Sequence, residues 1–147
     1  MEKKKKHVIQ HNARPGVYGN VIADIAEKNI CPFCAEHLTT YHKKPIDTRE
    51  HWHVTDNMYP YKPTKVHKLL IHRKHIEHVK NLSKKAKLEL FDILTELNVD
   101  GGTILMCRFG LADYTGSSVQ HLHIHVIQSD PSDPTYDINK GVVTRIG

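Results

Sequence analysis

The sequence predicts an α+β fold: an antiparallel sheet of about five strands, with one long helix and one short N-terminal helix packed on it. Three observations point there. Residues 121 to 126, His-Leu-His-Ile-His-Val, alternate imidazole and apolar side chains at the two-residue period of a half-buried strand. Leu90, Phe91, Leu94 and Leu97 recur at the spacing of one helix face. The order helix, strand, strand, long helix, strand, strand lacks the regular strand-helix alternation of a parallel crossover sheet, so hairpins or a meander flank the long helix.

Each element has its own grounds. Tyr18, Val21, Ile22 and Ile25 space as a short amphipathic helix that ends before Cys31. Between Glu50 and Asn57, His51, His53 and Thr55 alternate with Trp52 and Val54, a strand, and Lys68 to His72 forms another around Leu69, Leu70 and Ile71. The stretch Tyr59-Pro60-Tyr61-Lys62-Pro63 between them is a proline-punctuated loop. Ser83 reads as the N-cap of the long helix, whose stripe stops near Gly101-Gly102. Thr103 to Phe109 reads as a strand, Gly110 to Ser118 as a loop of small and polar residues, and Val119 to Gln128 as the histidine strand. Beyond Ser129, two proline breaks precede Val142-Val143, which reads as an edge segment. The division expected is a basic flexible tail over 1–17, one domain over 18–128 and a C-terminal extension over 129–147.

A chain of 147 residues suits a single domain that buries a core without covalent staples. Three cysteines make no disulfide framework and no apolar run approaches the length of a membrane span, so the expected compartment is the cytoplasm, with no membrane partner. The start Met1-Glu2-Lys3-Lys4-Lys5-Lys6 is basic, but no long apolar segment follows it as in a signal peptide. The net charge of +5 favours anionic partners. Lys and Arg are scattered rather than striped with aromatics, which argues for small phosphorylated ligands and against a dedicated nucleic-acid site.

Two constellations carry chemistry. On a strand, His121, His123 and His125 share one face at about 7 Å intervals, where imidazoles act as nucleophiles, acid-base groups or metal ligands. Cys31-Pro32-Phe33-Cys34 supplies two thiolates on a turn, half of a tetrahedral zinc site. Two completions compete: a local one through His37 and His42, and a long-range one through His75 and His121. A redox role for the pair lacks the strand-helix context it needs.

The run Gly116-Ser117-Ser118-Val119-Gln120-His121-Leu122-His123-Ile124-His125-Val126-Ile127 resembles the signature of the histidine-triad (HIT) family, His-φ-His-φ-His-φ-φ after Gly-x-Ser/Thr-Val. Cys31 and Cys34 lie where zinc-containing bacterial members carry Cys-x-x-Cys. Asn57 followed by Tyr59-Pro60-Tyr61 resembles the ribose-binding strand end of members that cleave dinucleoside polyphosphates. His67, with the segment Leu69 to Ile76, resembles the family's His-x-Leu-φ-φ-Pro-Lys-x-His-φ. The resemblance spans residues 18–128.

What it implies is a HIT-type nucleotidyl hydrolase or transferase, with dinucleoside polyphosphate hydrolase or phosphorylase as one subtype. Its substrate is a nucleotide or dinucleotide, cleaved at the α-phosphate of an anhydride, ester or phosphoramidate. His123 is the implied nucleophile, forming a nucleotidyl-histidine; His125 and the 116–118 loop stabilise phosphoryl charge, and Ser118 meets the bridging or leaving oxygen. Asn57, His67, Arg108 and Ser117 are the implied substrate contacts. Structural zinc is implied at Cys31, Cys34, His75 and His121. Relatives are often homodimers through the long helix and a neighbouring strand, though the sequence leaves oligomeric state open.

Plainer roles stand beside these: Ser118 closing its loop, His67 as an ordinary strand residue, Asn57 as a turn former, and Trp52, Tyr59 and Tyr61 in packing. The sequence departs from the family pattern in three places. Arg108-Phe109-Gly110 stands where Asn-x-Gly is common, Ser117 replaces the usual Gln, and His72 replaces the proline before the basic pair. Two other readings remain open: a metalloenzyme using His121 and His123 on one ion, and a nucleotide-binding protein without turnover.

Overall fold

A computed structural model describes residues 4–147. Five strands, β1 (Ile46–Thr48), β2 (Trp52–Asp56), β3 (Thr64–His72), β4 (Ile104–Cys107) and β5 (His123–Ser129), form one antiparallel sheet in the order β1-β2-β3-β5-β4. The helices are α1 (Val17–Lys28), α2 (Ala35–Tyr41), α3 (Lys84–Leu97) and the single-turn α4 (Ala112–Thr115). This is the α+β architecture expected from the sequence.

The strand period assigns each face. Trp52, Val54, Leu70, Leu122, Ile124 and Val126 meet Ala86 and Ile93 of α3 in the main core. Burying side chains of this size stabilises the domain by about 1.5–3 kcal/mol each. The Trp52 indole N–H donates to the Ala86 carbonyl at 2.8 Å, so the largest core side chain also has its polar atom satisfied. Ser83 caps α3 as expected, its hydroxyl accepting from the Ala86 N–H at 3.1 Å, and the helix ends where Asn98 turns left-handed. Register then sets the other face, pairing Leu69 with His125 and Ile71 with His123. Leu38 of α2 packs on Leu69 and Ile71, while α1 lays Ile22 and Ile25 against Val8 and Val119.

The structure differs from the sequence expectation in several places. Of the expected flexible tail over 1–17, residues 1–3 lie outside the described residues. From His7 onward the chain is docked: Val8 is 3 % exposed and bridges Val119, and the buried Asn12 amide donates to the Ser117 carbonyl at 2.9 Å. A lysine run masks this anchor, which rests on one apolar and one amide side chain. The histidine strand is shorter than expected, since β5 begins at His123 and residues 119–122 pair instead with the N-terminal segment and Ile76. Strand β3 begins at Thr64 rather than Lys68. Val142-Val143 forms no strand; it follows Gly141 at φ 60° and Val143 is exposed. The fifth strand is β1, three residues at an edge with no apolar alternation to announce it. Helix α2 was likewise silent, because it buries only Leu38.

Candidate active site and metal centre

The sheet face opposite α3, the first turns of α1 and the 116–118 loop enclose a cavity of about 920 Å³, including its open mouth. His123 and His125 line it from β5. Ile22, Ile25, Phe33, Tyr41 and Leu69 make one side apolar, and Arg14, Arg108, Ser117 and Ser118 make the other polar.

Hydrogen bonds fix the imidazole tautomers. His123 Nδ1 lies 2.7 Å from the His121 carbonyl, which can only accept, so Nδ1 carries the proton and Nε2 keeps a free lone pair. The His67 Nδ1 accepts from the Tyr61 backbone N–H at 3.0 Å. Because Nδ1 accepts the backbone N–H, a neutral His67 carries its proton on Nε2 and donates it to His125 Nδ1 at 2.8 Å, and the Asn57 amide nitrogen 3.1 Å from that Nε2 makes no hydrogen bond to it. His125 is left with Nε2–H, a donor. Adjacent rings thus present opposite faces to a ligand, a base at His123 and a hydrogen-bond donor at His125.

Burial keeps these rings neutral. It pushes His123 down to about 4, with the Arg108 charge adding to it and the His121 carbonyl opposing. His67 falls to about 4 through burial, then the charges of Arg14 and His123. His125 lies well below 6.5 for the same first reason, helped by His123, His67, Arg108 and Arg14. The imidazole of His123 is consequently neutral at pH 7, with its one proton on Nδ1.

The remaining expected contacts divide. Ser118 lines the cavity and its hydroxyl bonds the Tyr18 hydroxyl at 2.5 Å. Arg108 lines it too, with N–H groups on the Thr115 carbonyl at 3.1 Å and the Tyr61 hydroxyl at 3.4 Å. The Ser117 hydroxyl is turned inward, donating to the Val119 carbonyl at 2.9 Å. Asn57 lines the cavity, yet its oxygen accepts from the Tyr59 N–H at 2.8 Å, the turn-forming role. His67 is 5 % exposed and sits behind His125 rather than on the cavity wall. Sequence reasoning missed Asn12, Arg14, Tyr18 and Phe33, all of which line the cavity. Arg14 lies over the rings of Tyr18 and Tyr61 at 5.1 and 4.8 Å. Only the helical spacing of Tyr18 hinted at any of these.

Next to the cavity, Cys31, Cys34, His75 and His121 bring one ligand atom each to within 4.8 Å of one another. Cys31 Sγ is 3.3 Å from His121 Nδ1, Cys34 Sγ is 3.3 Å from His75 Nδ1, and Cys34 Sγ is 3.8 Å from His121 Nδ1. Tetrahedral zinc with ordinary bond lengths spaces sulfur and nitrogen ligands roughly 3.6 Å apart. Both rings are oriented from behind: His121 Nε2 donates to the His72 carbonyl at 2.6 Å and His75 Nε2 to Glu77 at 3.1 Å, which leaves each Nδ1 free to ligate. Burial pushes the Cys31 thiol up to about 12, so a thiolate there needs a cation beside it. The long-range completion is the one the fold assembles. His42 instead bonds Thr55 at 2.7 Å, which removes the local completion. His121 and His123 do not converge on one ion, because His121 faces the sulfurs and His123 Nδ1 faces a carbonyl.

The chain has the fold of histidine-triad proteins, with the Cys-x-x-Cys cluster positioned to bind a metal. The chain is similar to a HIT family hydrolase from Clostridium thermocellum at 25% identity, over 71% of this chain and 95% of that one, with a TM-score of 0.52. A Zn-bound histidine triad family protein from Mycobacterium smegmatis shares the fold at 18% identity, over 71% and 78% of the two chains, with a TM-score of 0.52. A HIT family hydrolase from Legionella pneumophila shares it at 18% identity, over 72% and 98%, with a TM-score of 0.50. No protein-family model and no curated protein matches the sequence. No helix among the described residues is long and apolar enough to cross a membrane.

Proposed function

We propose that this protein is a nucleotidyl hydrolase or transferase that cleaves a nucleotide anhydride, ester or phosphoramidate at its α-phosphate through a nucleotidyl-His123 intermediate. The observation that carries the reading is the His123 ring, neutral, held by its Nδ1–H and presenting a free Nε2 to a cavity with an apolar side and a cationic side. That Nε2 lone pair forms a bond to phosphorus while the bond to the leaving group breaks and its electron pair departs with that group. The ring becomes cationic, and the His121 carbonyl accepting its Nδ1–H stabilises that charge. The His125 Nε2–H and Arg108 face the phosphoryl oxygens, and the Ser118 hydroxyl meets the leaving oxygen. Water or another acceptor then attacks phosphorus and frees His123.

In this reading Cys31, Cys34, His75 and His121 hold a structural zinc, which fastens the segment before β5 and takes no part in turnover. Substrates are nucleotides or dinucleotides, the compartment is the cytoplasm, and neither membrane nor nucleic acid is a partner. A homodimer is proposed through α3 and the β4 edge, where Leu88, Phe91, Ile104 and Leu105 expose apolar surface; sedimentation gives its mass.

The test incubates the protein with adenosine 5′-phosphoramidate and diadenosine tetraphosphate. It follows mononucleotide release and the mass of the trapped protein. An adenylyl adduct on the native chain, absent from a folded His123→Ala variant that has lost turnover, is the expected result. A normally active His123→Ala variant would overturn the mechanism, and a native protein that binds nucleotide without adduct or product would leave binding as the function.

A further inference from the structure

Three guanidinium groups, those of Arg14, Arg108 and Arg145, line the cavity onto which His123 opens, and no aspartate or glutamate lines it. Among the described residues, none of the three pairs with an Asp or Glu side chain. Arg108 spends its N–H groups on neutral oxygens, including the Thr144 hydroxyl at 3.0 Å and the Arg145 carbonyl at 2.6 Å. Like charges around a partly desolvated volume repel, and an anion between them removes that cost.

The amount of charge is informative. A nucleotide with an uncharged leaving group brings about one negative charge at its α-phosphate, which Arg108 and the His125 Nε2–H suffice to meet. Arg14, bound to the Tyr59 and Pro60 carbonyls, and Arg145 are then surplus, and Arg145 is the more exposed of the two. The burial gradient says where further charge would lie: His123 is buried, Arg108 is half-buried, and Arg145 is exposed to solvent. Arg145 is held there by its Nη1 donating to the His11 carbonyl at 2.8 Å and its Nε to the Gly147 oxygen, which leaves Nη2 for a ligand, while its own carbonyl anchors Arg108. With the nucleoside on the apolar side, a chain of phosphates leaving from the α-position runs along the cationic side toward Arg145.

We infer that Arg145, from the C-terminal extension, is a specificity-determining residue that binds the distal phosphates of the leaving group, so that the cavity favours a polyphosphate anhydride over a nucleotide with an uncharged leaving group. This rests on nucleotidyl transfer at His123. It gives the extension beyond residue 128 a function that the triad strand does not announce.

The test compares kcat/KM for diadenosine tetraphosphate and adenosine 5′-phosphoramidate in the full chain, in Arg145→Ala and in Arg145→Lys, after thermal unfolding has established that each variant is folded. The ratio of the two constants falls about tenfold in Arg145→Ala, mainly through KM for the tetraphosphate, and Lys restores part of it. An unchanged ratio, or equal losses on both substrates, overturns the inference while leaving the chemistry at His123 standing. Calorimetry in the His123→Ala background separates the two ideas. There, Arg145→Ala weakens adenosine tetraphosphate binding about tenfold more than AMP binding, whether or not the native protein turns over; equal weakening overturns the inference.

Discussion

Replacing His67 tests the tautomer assignment directly. His67→Leu keeps approximate volume but leaves the Tyr61 N–H without its acceptor and His125 Nδ1 without its donor, both in a buried setting. Each of the two orphaned groups costs about 1–3 kcal/mol, and the added apolar burial returns about 1–2 kcal/mol, so the net loss centres on about 2.5 kcal/mol. For a domain of this size that lowers Tm by roughly 5–10 °C. The kinetic effect is separate. Without His67, His125 is free to move its proton to Nδ1 and to turn away from the phosphoryl oxygens. Full loss of such a donor costs roughly 100–1,000-fold in kcat, and partial loss of orientation roughly 10–100-fold. His67→Gln is the companion variant, because its amide can accept from Tyr61 and donate to His125, and it recovers part of kcat. Steady-state kinetics at a temperature where both variants are folded decide the matter. A raised KM with unchanged kcat would mean that His67 meets substrate itself, and a Gln variant no better than Leu would sink the assignment.

Acidity gives a second prediction. Since His123 sits at about 4 in the folded protein, the acid limb of kcat/KM has its midpoint near that value and not near 6.5, measured by brief assays at each pH. Stability follows another course: unfolded imidazoles take up protons near 6.5, whereas His67 and His123 resist until about 4. Stability is therefore complete above 6.5 and declines as pH falls from there toward 4, as urea midpoints will report. For the metal centre, Cys31→Ala lowers zinc content and Tm together, and a strong chelator lowers Tm of the native chain. Immediate loss of turnover in chelated protein that is still folded would instead make the metal catalytic.

Much of the sheet was legible because its central strands have the simplest pattern. The alternation through Ile124 and Val126 predicts both the buried face and the reactive one, and Ser83 announces α3 by an ordinary cap. The metal cluster was half legible: Cys31 and Cys34 are neighbours in sequence, but choosing His75 and His121 over His37 and His42 depends on how β3 and β5 pair. What stayed hidden was made of single anchors. Val8, Asn12 and Arg14 have no periodicity, and Arg145 lies in a segment without regular structure, so nothing local distinguishes them from surface residues. His67 was visible as a residue of interest, but its place behind His125 follows from register. Roles that depend on which side chain stands in front of another require the pairing of strands far apart in the chain.

Residues 117–121, just ahead of β5, take most of their contacts from the first third of the chain, with His121 also tied to the His72 carbonyl. Ser117 is bound by Asn12, Ser118 by Ile9 and Tyr18, Val119 by Val8, Gln120 by His7, and His121 faces Cys31. These contacts span about ninety residues or more, and closing a loop of that length costs roughly 4 kcal/mol of chain entropy before any of them forms. The β3–β5 pairs close loops only about half as long, a difference of roughly 0.6 kcal/mol, so what sets residues 117–121 apart is the source of their shape: the N-terminal segment and not the sheet. A chain whose N-terminal segment came loose would keep its triad strand paired and lose the wall beside it, which makes the segment ahead of α1 a structural part of the cavity.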